Sequence, residues 1–527
     1  MNLQIDKKEV KPLDVEKMMH VYDFSSETIR TITTENLLPA ALINRLQNCY
    51  PQHSGFVKTR TIFTDKTYYA GLKGFREIVG KLNENGIEIS AVEEREFFIE
   101  IYRFLVTKHI LNTIDWDNYE NDPVYYLIFP QPGMINPEDI KLYVAAKSDE
   151  ERRQVVETYQ HKTNPHDGKQ KLNKPWYVGS EGQLEILEGC QHKYPPIELI
   201  LDSTTQNCFA FCTYCFRHAQ VRGDEDMFAQ QSVGQVHNYL KQHKEISDIL
   251  ITGGDGGYIP YERLLEYVKP LIDDPELVHI RTLRIGSRAI TYHPEFLLSD
   301  KFAKILKLLK HTIDSGIQVV WMAHLSTPRE LMNPGSVAAV KRLKSFGITV
   351  KSQSPIMNHI SLYRDEYGKV DIDRSAQNWI DLGNVLAILG IGFHSMYCAR
   401  PTGEHHYFTA PLADISKIFS KVFRSLASIN RPSRHITMTS SAGKTSLMGT
   451  TVINGEKVFA LKFNEARNME WMDSVYFAEF DEQQNTIEKL KPYGADKYFY
   501  EDELAGIENR LEEALLKEMK QAENHDQ

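Results

Sequence analysis

The feature that most constrains the fold is a change of texture near residue 190. From about Glu198 onward, six short β-rich runs (IELILDST, DILITGG, HIRTLRIGS, IQVVWMAH, ITVKSQSP and GFHSMYC) alternate with helical segments such as Tyr261 to Ile272, Asp300 to Gly316 and Gly335 to Phe346. Strands separated by helices pair in parallel through crossover connections. The middle of the chain, residues 190–445, therefore predicts an α/β fold, a partial (β/α)6 barrel of the TIM type. A seventh strand, His435 to Thr439, ends at SSAGKTS, and VINGEKVFALKF then reads as a hairpin on an Asn-Gly turn. Asp502 to Gln521 places Leu504, Ile507, Leu511, Leu515 and Met519 on one helical face. That pattern marks residues 446–527 as a C-terminal hairpin and helix extension, with the helix free to dock or to build a homo-oligomer.

Before residue 190 the periodicity is helical over Glu93 to Leu111, Pro137 to Ala146 and Asp149 to Gln160, broken by polar stretches such as HKTNPHDGKQKLNKP. Residues 1–189 are expected to form a mostly helical N-terminal region. The 61 Lys and Arg against 71 Asp and Glu give a net charge of −10, which offers nucleic acid or an anionic membrane no general attraction. No apolar run approaches the roughly 20 residues needed to span a bilayer, and the opening segment lacks the apolar core of a signal peptide. A cytoplasmic location, without nucleic-acid or membrane partners, is the expectation.

Three of the six cysteines, Cys208, Cys212 and Cys215, fall in CFAFCTYC, directly after the first strand of the parallel set. Loops at the C-terminal ends of parallel strands are where such folds bind ligands. Three thiolates on one loop can hold three corners of a four-iron four-sulfur cluster and leave the fourth iron open to a non-protein ligand. A zinc site completed by Cys190 or His218 is the other reading of the spacing. The second strand runs into Gly253, Gly254 and Asp255, a turn whose exposed backbone can approach an amino group held beside the cysteines.

CFAFCTYC followed by Phe216 and Arg217, ILITGGD at the next strand end, and RIGSR from Arg284 to Arg288 together resemble the radical S-adenosylmethionine enzymes, in particular the lysine 2,3-aminomutase family. The likeness spans about residues 190 to 450. It implies that Cys208, Cys212 and Cys215 hold a 4Fe-4S cluster whose fourth iron is chelated by S-adenosylmethionine. Gly253, Gly254, Asp255, Arg284, Ser287 and Gln353 would then line the cofactors. It also implies an external electron donor such as a flavodoxin or ferredoxin, and a radical that abstracts a hydrogen from a small amino acid substrate.

Ser440-Ser441-Ala442-Gly443-Lys444-Thr445 is not a P-loop, because Met438 stands where the first glycine is required. In the family a lysine at this point forms the Schiff base with pyridoxal 5'-phosphate, and Lys444 matches it. The family's run of glycines is reduced to Ala442 and Gly443, and the two serine hydroxyls are donors that could replace it at a phosphate. His406, Tyr407 and Thr409 match a family segment ahead of the lysine. Arg217 and Arg288 keep family positions suited to bidentate contact with a carboxylate, while His324 ends a strand at the barrel mouth.

Lysine-specific members place two acidic residues around the distal ammonium. The matching positions here are Ala399 and Thr437, neither acidic, and a buried ammonium without a carboxylate is costly. Arg400 adjoins the first position and Arg434 and His435 the second, which points to an acidic distal group instead of lysine. No cysteine follows Cys398, so the family's C-terminal zinc ligands are missing. The leading reading is a pyridoxal-phosphate-dependent radical aminomutase. The competing ones are a radical enzyme without pyridoxal phosphate and a metabolite-binding barrel with a structural zinc or redox-sensing site.

Overall fold

The computed structural model describes residues 14–57, 61–163, 173–179, 182–222, 229–400 and 403–525. One large, mostly parallel sheet organises it, and its strands neighbour one another in sequence order. They are β1 (Cys190–Tyr194), β2 (Ile197–Leu201), β3 (Asp248–Thr252), β4 (Thr282–Ser287), β5 (Gln318–His324), β6 (Thr349–Ile356), β7 (Gly392–Cys398), β8 (Ile436–Thr439), β9 (Gly443–Ile453), β10 (Glu456–Ala466) and β11 (Val475–Glu479). β2 to β8 pair in parallel. β1 and β9 to β11 join antiparallel. Each parallel connection carries a helix, the six being Val233–Gln242, Tyr261–Asp273, Asp300–Asp314, Pro334–Ser345, Ile372–Leu389 and Leu412–Ser425.

The parallel set therefore comprises the six expected strands and the seventh expected at His435 to Thr439, observed over Ile436–Thr439. The hairpin continues this sheet, β9 pairing with β8 from Lys444 opposite Thr439 to Leu447 opposite Ile436. Its turn is the expected Asn454-Gly455, with φ of 51° and 85°, the pair of positive values that a two-residue hairpin turn requires. β10 lies against β1, so the sheet curls until its far strands meet. Alternation along the strands separates two faces. Ile249, Ile251, Leu283 and Ile285 are buried, while Asp248, Thr252, Arg284 and Gly286 alternate with them on a partly open face.

The N-terminal region is helical, with one departure from expectation. Glu93 to Leu111 is not a single helix: a helix over Val92–Ile101 ends, Leu105–Thr107 pairs antiparallel with Tyr68–Ala70, and a second helix covers Lys108–Thr113. Thr107 caps that second helix by accepting the Ile110 N–H. The break matters for the site, because the Leu105 carbonyl accepts the Phe211 N–H at 2.8 Å and the Leu127 carbonyl accepts the Thr213 N–H at 3.0 Å. The cysteine loop is thus stitched to the N-terminal region.

The C-terminal helix spans Glu501–His525. Glu503 accepts from the Trp471 indole and Asn468, and Glu508 accepts from the Ser441 hydroxyl, so its first turns dock on the strands around Lys444. Leu504 and Ile507 pack against the core, whereas the side chains of Leu515 and Met519 lie outside the described residues. Among the described residues no helix is long and apolar enough to cross a membrane.

Candidate active site

β2 delivers the chain to Asp202, whose fully buried carboxylate accepts from Arg263 Nε and the Tyr267 hydroxyl, each at 2.8 Å, and caps the turn Ser203–Thr205. That anchor fixes where the cysteine loop begins. Cys208, Cys212 and Cys215 are half-buried, and the Cys215 N–H donates to the Cys212 carbonyl at 3.0 Å. Burial, then the neighbouring cysteines' charge, pushes the Cys208 thiol well up and Cys215 to about 12. Binding to a positively charged metal centre would offset both costs of ionising these thiols.

Zinc with sulfur bonds of about 2.3 Å would draw its ligands to within about 4 Å of one another. Among the described residues, the only metal-ligating group whose atoms all lie within 4.8 Å of one another is His192, His243 and Glu245. Neither candidate fourth ligand joins the loop: Cys190 is buried beside Gln230, and His218 contacts the Thr163 carbonyl. Three thiols without a protein fourth ligand fit an iron–sulfur cluster with one open iron. A cavity of about 490 Å³, lined by Tyr102, Arg103, Gln206, Asn207, Gln220, Val221 and Arg222, opens at the residues before Cys208.

The Gly-Gly-Asp turn packs directly on this loop. The amides of Gly254 and Asp255 donate to the Thr205 carbonyl at 2.9 and 3.1 Å. Gly253 has φ of 145°, and a Cβ there would lie 2.5 Å from Thr205 Oγ1; one on Gly254 would lie 2.7 Å from the carbonyl oxygens of Gln206 and Asn207. Both glycines are therefore required for contact with the loop. The buried carboxylate of Asp255 accepts from the amides of Gly257 and Arg288, each at 2.8 Å, and so holds the turn in shape. Burial raises its pKa to about 6.

Arg288 departs from expectation. Instead of standing free for a substrate carboxylate, its buried guanidinium pairs with Glu330, donates to the Tyr214 hydroxyl at 2.5 Å and reaches Cys212 Sγ at 3.6 Å. Ser287, at the end of β4, accepts the Ala289 N–H at 3.0 Å and is buried. His324 and Gln353 face each other across β5 and β6. Burial, reinforced by Arg288, lowers His324 to about 3, so it is a neutral imidazole. Arg284 is not at the cysteine end: its Nε donates to Asp248 at 2.7 Å near the starts of the strands.

Lys444 sits on β9 opposite Thr439 and Glu465, not in a loop. Its ammonium pairs with Glu465 and lies 5.1 Å from the Tyr194 ring centroid. Around it gather cations that the sequence did not single out. Lys193 is half-buried, donates to the Ser440 carbonyl and is held well below the ordinary lysine pKa by desolvation of its ammonium, then by Arg467, Arg400 and Lys444. Arg467 donates from Nε to the Ser441 carbonyl at 2.9 Å. The Tyr194 hydroxyl is buried and has no hydrogen-bond partner among the described residues.

Phe216, adjoining Cys215, links the two ends. Arg217 and Arg400 lie 5.2 and 4.9 Å from its ring centroid. Burial and then the Arg400 charge lower Arg217 to about 10, while its Nη1 donates to the Gly253 carbonyl at 3.1 Å. Arg217 and Arg400 thus lie between the cysteine loop and the cations around Lys444. The remaining candidates lie elsewhere. Arg434 is exposed, His406 is 3.7 Å from Glu404, and Tyr407 stacks on His359. Thr409 accepts from Asn485. Ser440 and Ser441 are occupied by the Gly443 carbonyl and Glu508. Ala399 and Thr437 are buried.

Lys193 and Arg467 escaped sequence reasoning because neither belongs to a spaced motif; the curl that brings β1 and β10 together unites them. Glu330, the partner of Arg288, likewise belongs to no spaced motif.

No family model matches the chain. A protein of Aquifex aeolicus named as an L-lysine 2,3-aminomutase is 25% identical over 367 residues, covering 69% of this chain and 83% of its own. The L-lysine 2,3-aminomutase of Bacillus subtilis is 30% identical over 198 residues, 37% of this chain and 38% of its own. The glutamate 2,3-aminomutase of Clostridioides difficile is 26% identical over 201 residues, 36% of this chain and 44% of its own. The match thus spans less than half the length of these last two relatives. A radical SAM methyltransferase from Sphaerobacter thermophilus aligns over 50% of this chain and 73% of its own with a TM-score of 0.30 and 14% identity, too loose a likeness to carry an argument. In motif order, in its three-cysteine loop closed by Gly-Gly-Asp and in the breadth of the sequence match, the chain is similar to the lysine 2,3-aminomutases.

Proposed function

We propose that the protein is a pyridoxal-phosphate-dependent radical aminomutase that moves an amino group between adjacent carbons of an amino acid other than lysine. The observation that carries this reading is the company of Lys444. Lys193, Arg400, Lys444 and Arg467 converge with Glu465, and the buried hydroxyl of Tyr194 lacks a partner. Such an excess of cations calls for a bound anion, and the phosphate of a cofactor anchored on Lys444 has the required charge.

When bound, the cluster and S-adenosylmethionine supply a one-electron route to hydrogen abstraction, and pyridoxal phosphate supplies a π system beside the migrating nitrogen. The chain's own residues do the rest. Cys208, Cys212 and Cys215 would hold three irons, with Gly253 and Gly254 pressing the next strand end against them. Lys444 would anchor the pyridoxal carbon while Glu465 fixes its direction. Tyr194 lies on the ammonium's flank, and Lys193, held at the Ser440 carbonyl, would offer the phosphate a further donor.

Arg217 and Arg400 favour an acidic substrate. They flank Phe216 between the cysteine loop and the lysine group, and nothing acidic stands at Ala399 or Thr437 to receive an ammonium. Two guanidinium groups there fit two carboxylates, one at the α-carbon and one at the distal end. The domain division at residues 190 and 445, cytoplasmic location, homo-oligomeric assembly and a flavodoxin or ferredoxin donor are part of the same proposal.

Reduction of the anaerobically reconstituted protein with borohydride, followed by peptide mapping, tests it. A pyridoxyl adduct on Lys444, absent from Lys444→Ala, is expected. Cleavage of S-adenosylmethionine without any adduct would shift the assignment to a radical enzyme that does not use pyridoxal phosphate.

A further inference from the structure

We propose that Tyr292 and Arg288 raise the reduction potential of the cluster by donating hydrogen bonds to the Cys212 sulfur; the inference rests on the cluster reading above. The Tyr292 hydroxyl lies 3.0 Å from Cys212 Sγ, and Arg288 Nη1 lies 3.6 Å from the same sulfur. Among the described residues, Cys212 is the one cysteine of the three that receives side-chain donors. A thiolate bound to iron carries no proton, so there the phenol must be the donor.

Both donors are held so that they cannot swing away. Tyr292 is 2% exposed, and the Arg288 guanidinium stacks 4.3 Å from its ring centroid. The far side of that guanidinium pairs with Glu330, which in turn accepts the amides of Ser326 and Thr327 at 2.7 and 3.2 Å. Glu330 balances the arginine's charge, so the cysteine feels two aimed hydrogen bonds within a neutral pair.

The cluster accepts one electron from the external donor, and part of the added charge spreads onto its sulfur ligands. Donors aimed at one of those sulfurs stabilise the reduced state more than the oxidised one, which moves the potential upward. The weaker the reductant the protein can then use, the more this pair matters. Tyr292 and Arg288 act through Cys212 and are positioning residues.

Tyr292→Phe keeps the ring that supports Arg288 and deletes one donor. The reconstituted parent and variant would be compared by iron content and by potentiometric titration followed by electron paramagnetic resonance. Equal iron and a roughly tenfold shift of the one-electron equilibrium toward the oxidised form, about 59 mV lower in midpoint, is the expected result. Equal iron with an unchanged midpoint overturns the proposal. If the variant loses its cluster, resonance Raman spectra of the parent in H2O and D2O decide: a deuterium-sensitive Fe–S(Cys) stretch supports the bond, and its absence overturns it. A parent protein that takes up no cluster refutes the cluster reading itself, an outcome that iron analysis separates from the others.

Discussion

Replacing Glu330 by Gln should destabilise the protein more than any surface change of equal size. The Glu330 carboxylate accepts from Arg288 Nη2 and from the Ser326 and Thr327 amides, and the two side chains of the ion pair are 2% and 7% exposed. Gln retains one oxygen for the amides but turns an NH2 group toward the guanidinium, donor against donor. Removing one partner of a buried pair leaves an uncompensated charge and costs about 3–5 kcal/mol. If the sheet region melts as a unit of about 250 residues, that is roughly 6–20 °C in Tm. Calorimetry of the cluster-free protein reads it, with Lys310→Gln as control. Lys310 pairs with Asp314 on an exposed helix face, where an ion pair is worth at most about 1 kcal/mol. A Glu330→Gln Tm within two degrees or so of the control would refute the claim that Arg288 depends on this carboxylate.

Asp255 has a folded-state pKa raised from 3.8 to about 6, so the folded chain binds its proton more tightly than the unfolded one. Stability linked to this group is therefore present below about pH 4 and is lost, by about 3 kcal/mol, as pH rises through about 6; urea unfolding across that range should show a slope reduced by this amount in Asp255→Asn, with Glu198, Asp248 and Glu404, whose carboxyls burial also raises, supplying the remainder. Gly254→Ala drives a Cβ against the carbonyls of Gln206 and Asn207; iron bound per chain should drop at least several-fold, and full loading would contradict the contact. Tyr102→Phe removes one of the two phenols that donate to the buried Glu404, each at 2.7 Å. A loss of about 1–3 kcal/mol is expected in denaturant unfolding, and a similar loss should follow Tyr159→Phe.

Much of the parallel sheet was legible because its inner and outer faces follow simple alternation, and each strand is followed by a helix with an apolar stripe. The cysteine loop was legible for a different reason, since three spaced thiols advertise a metal centre without reference to the fold. The pairing of Leu105–Thr107 with Tyr68–Ala70 was not, because an apolar run of that length satisfies helical and extended patterns equally well. The cations around Lys444 were hidden too: Lys193 and Arg467 are more than 270 positions apart and meet only where β1 approaches β10. Arg288 was misjudged because a sequence position gives the guanidinium but not its partner, and Glu330 lies on a different connection.

The most direct test of the account is the product formed by the fully loaded protein. The reconstituted enzyme, with S-adenosylmethionine, pyridoxal phosphate and a low-potential reductant, would be incubated separately with glutamate, aspartate, lysine and neutral amino acids, and products separated by mass spectrometry. The account predicts a β-amino isomer from an acidic amino acid, lost in Lys444→Ala and in Cys212→Ser. Turnover of lysine alone, or 5'-deoxyadenosine with no β-amino isomer from any of them, would contradict it.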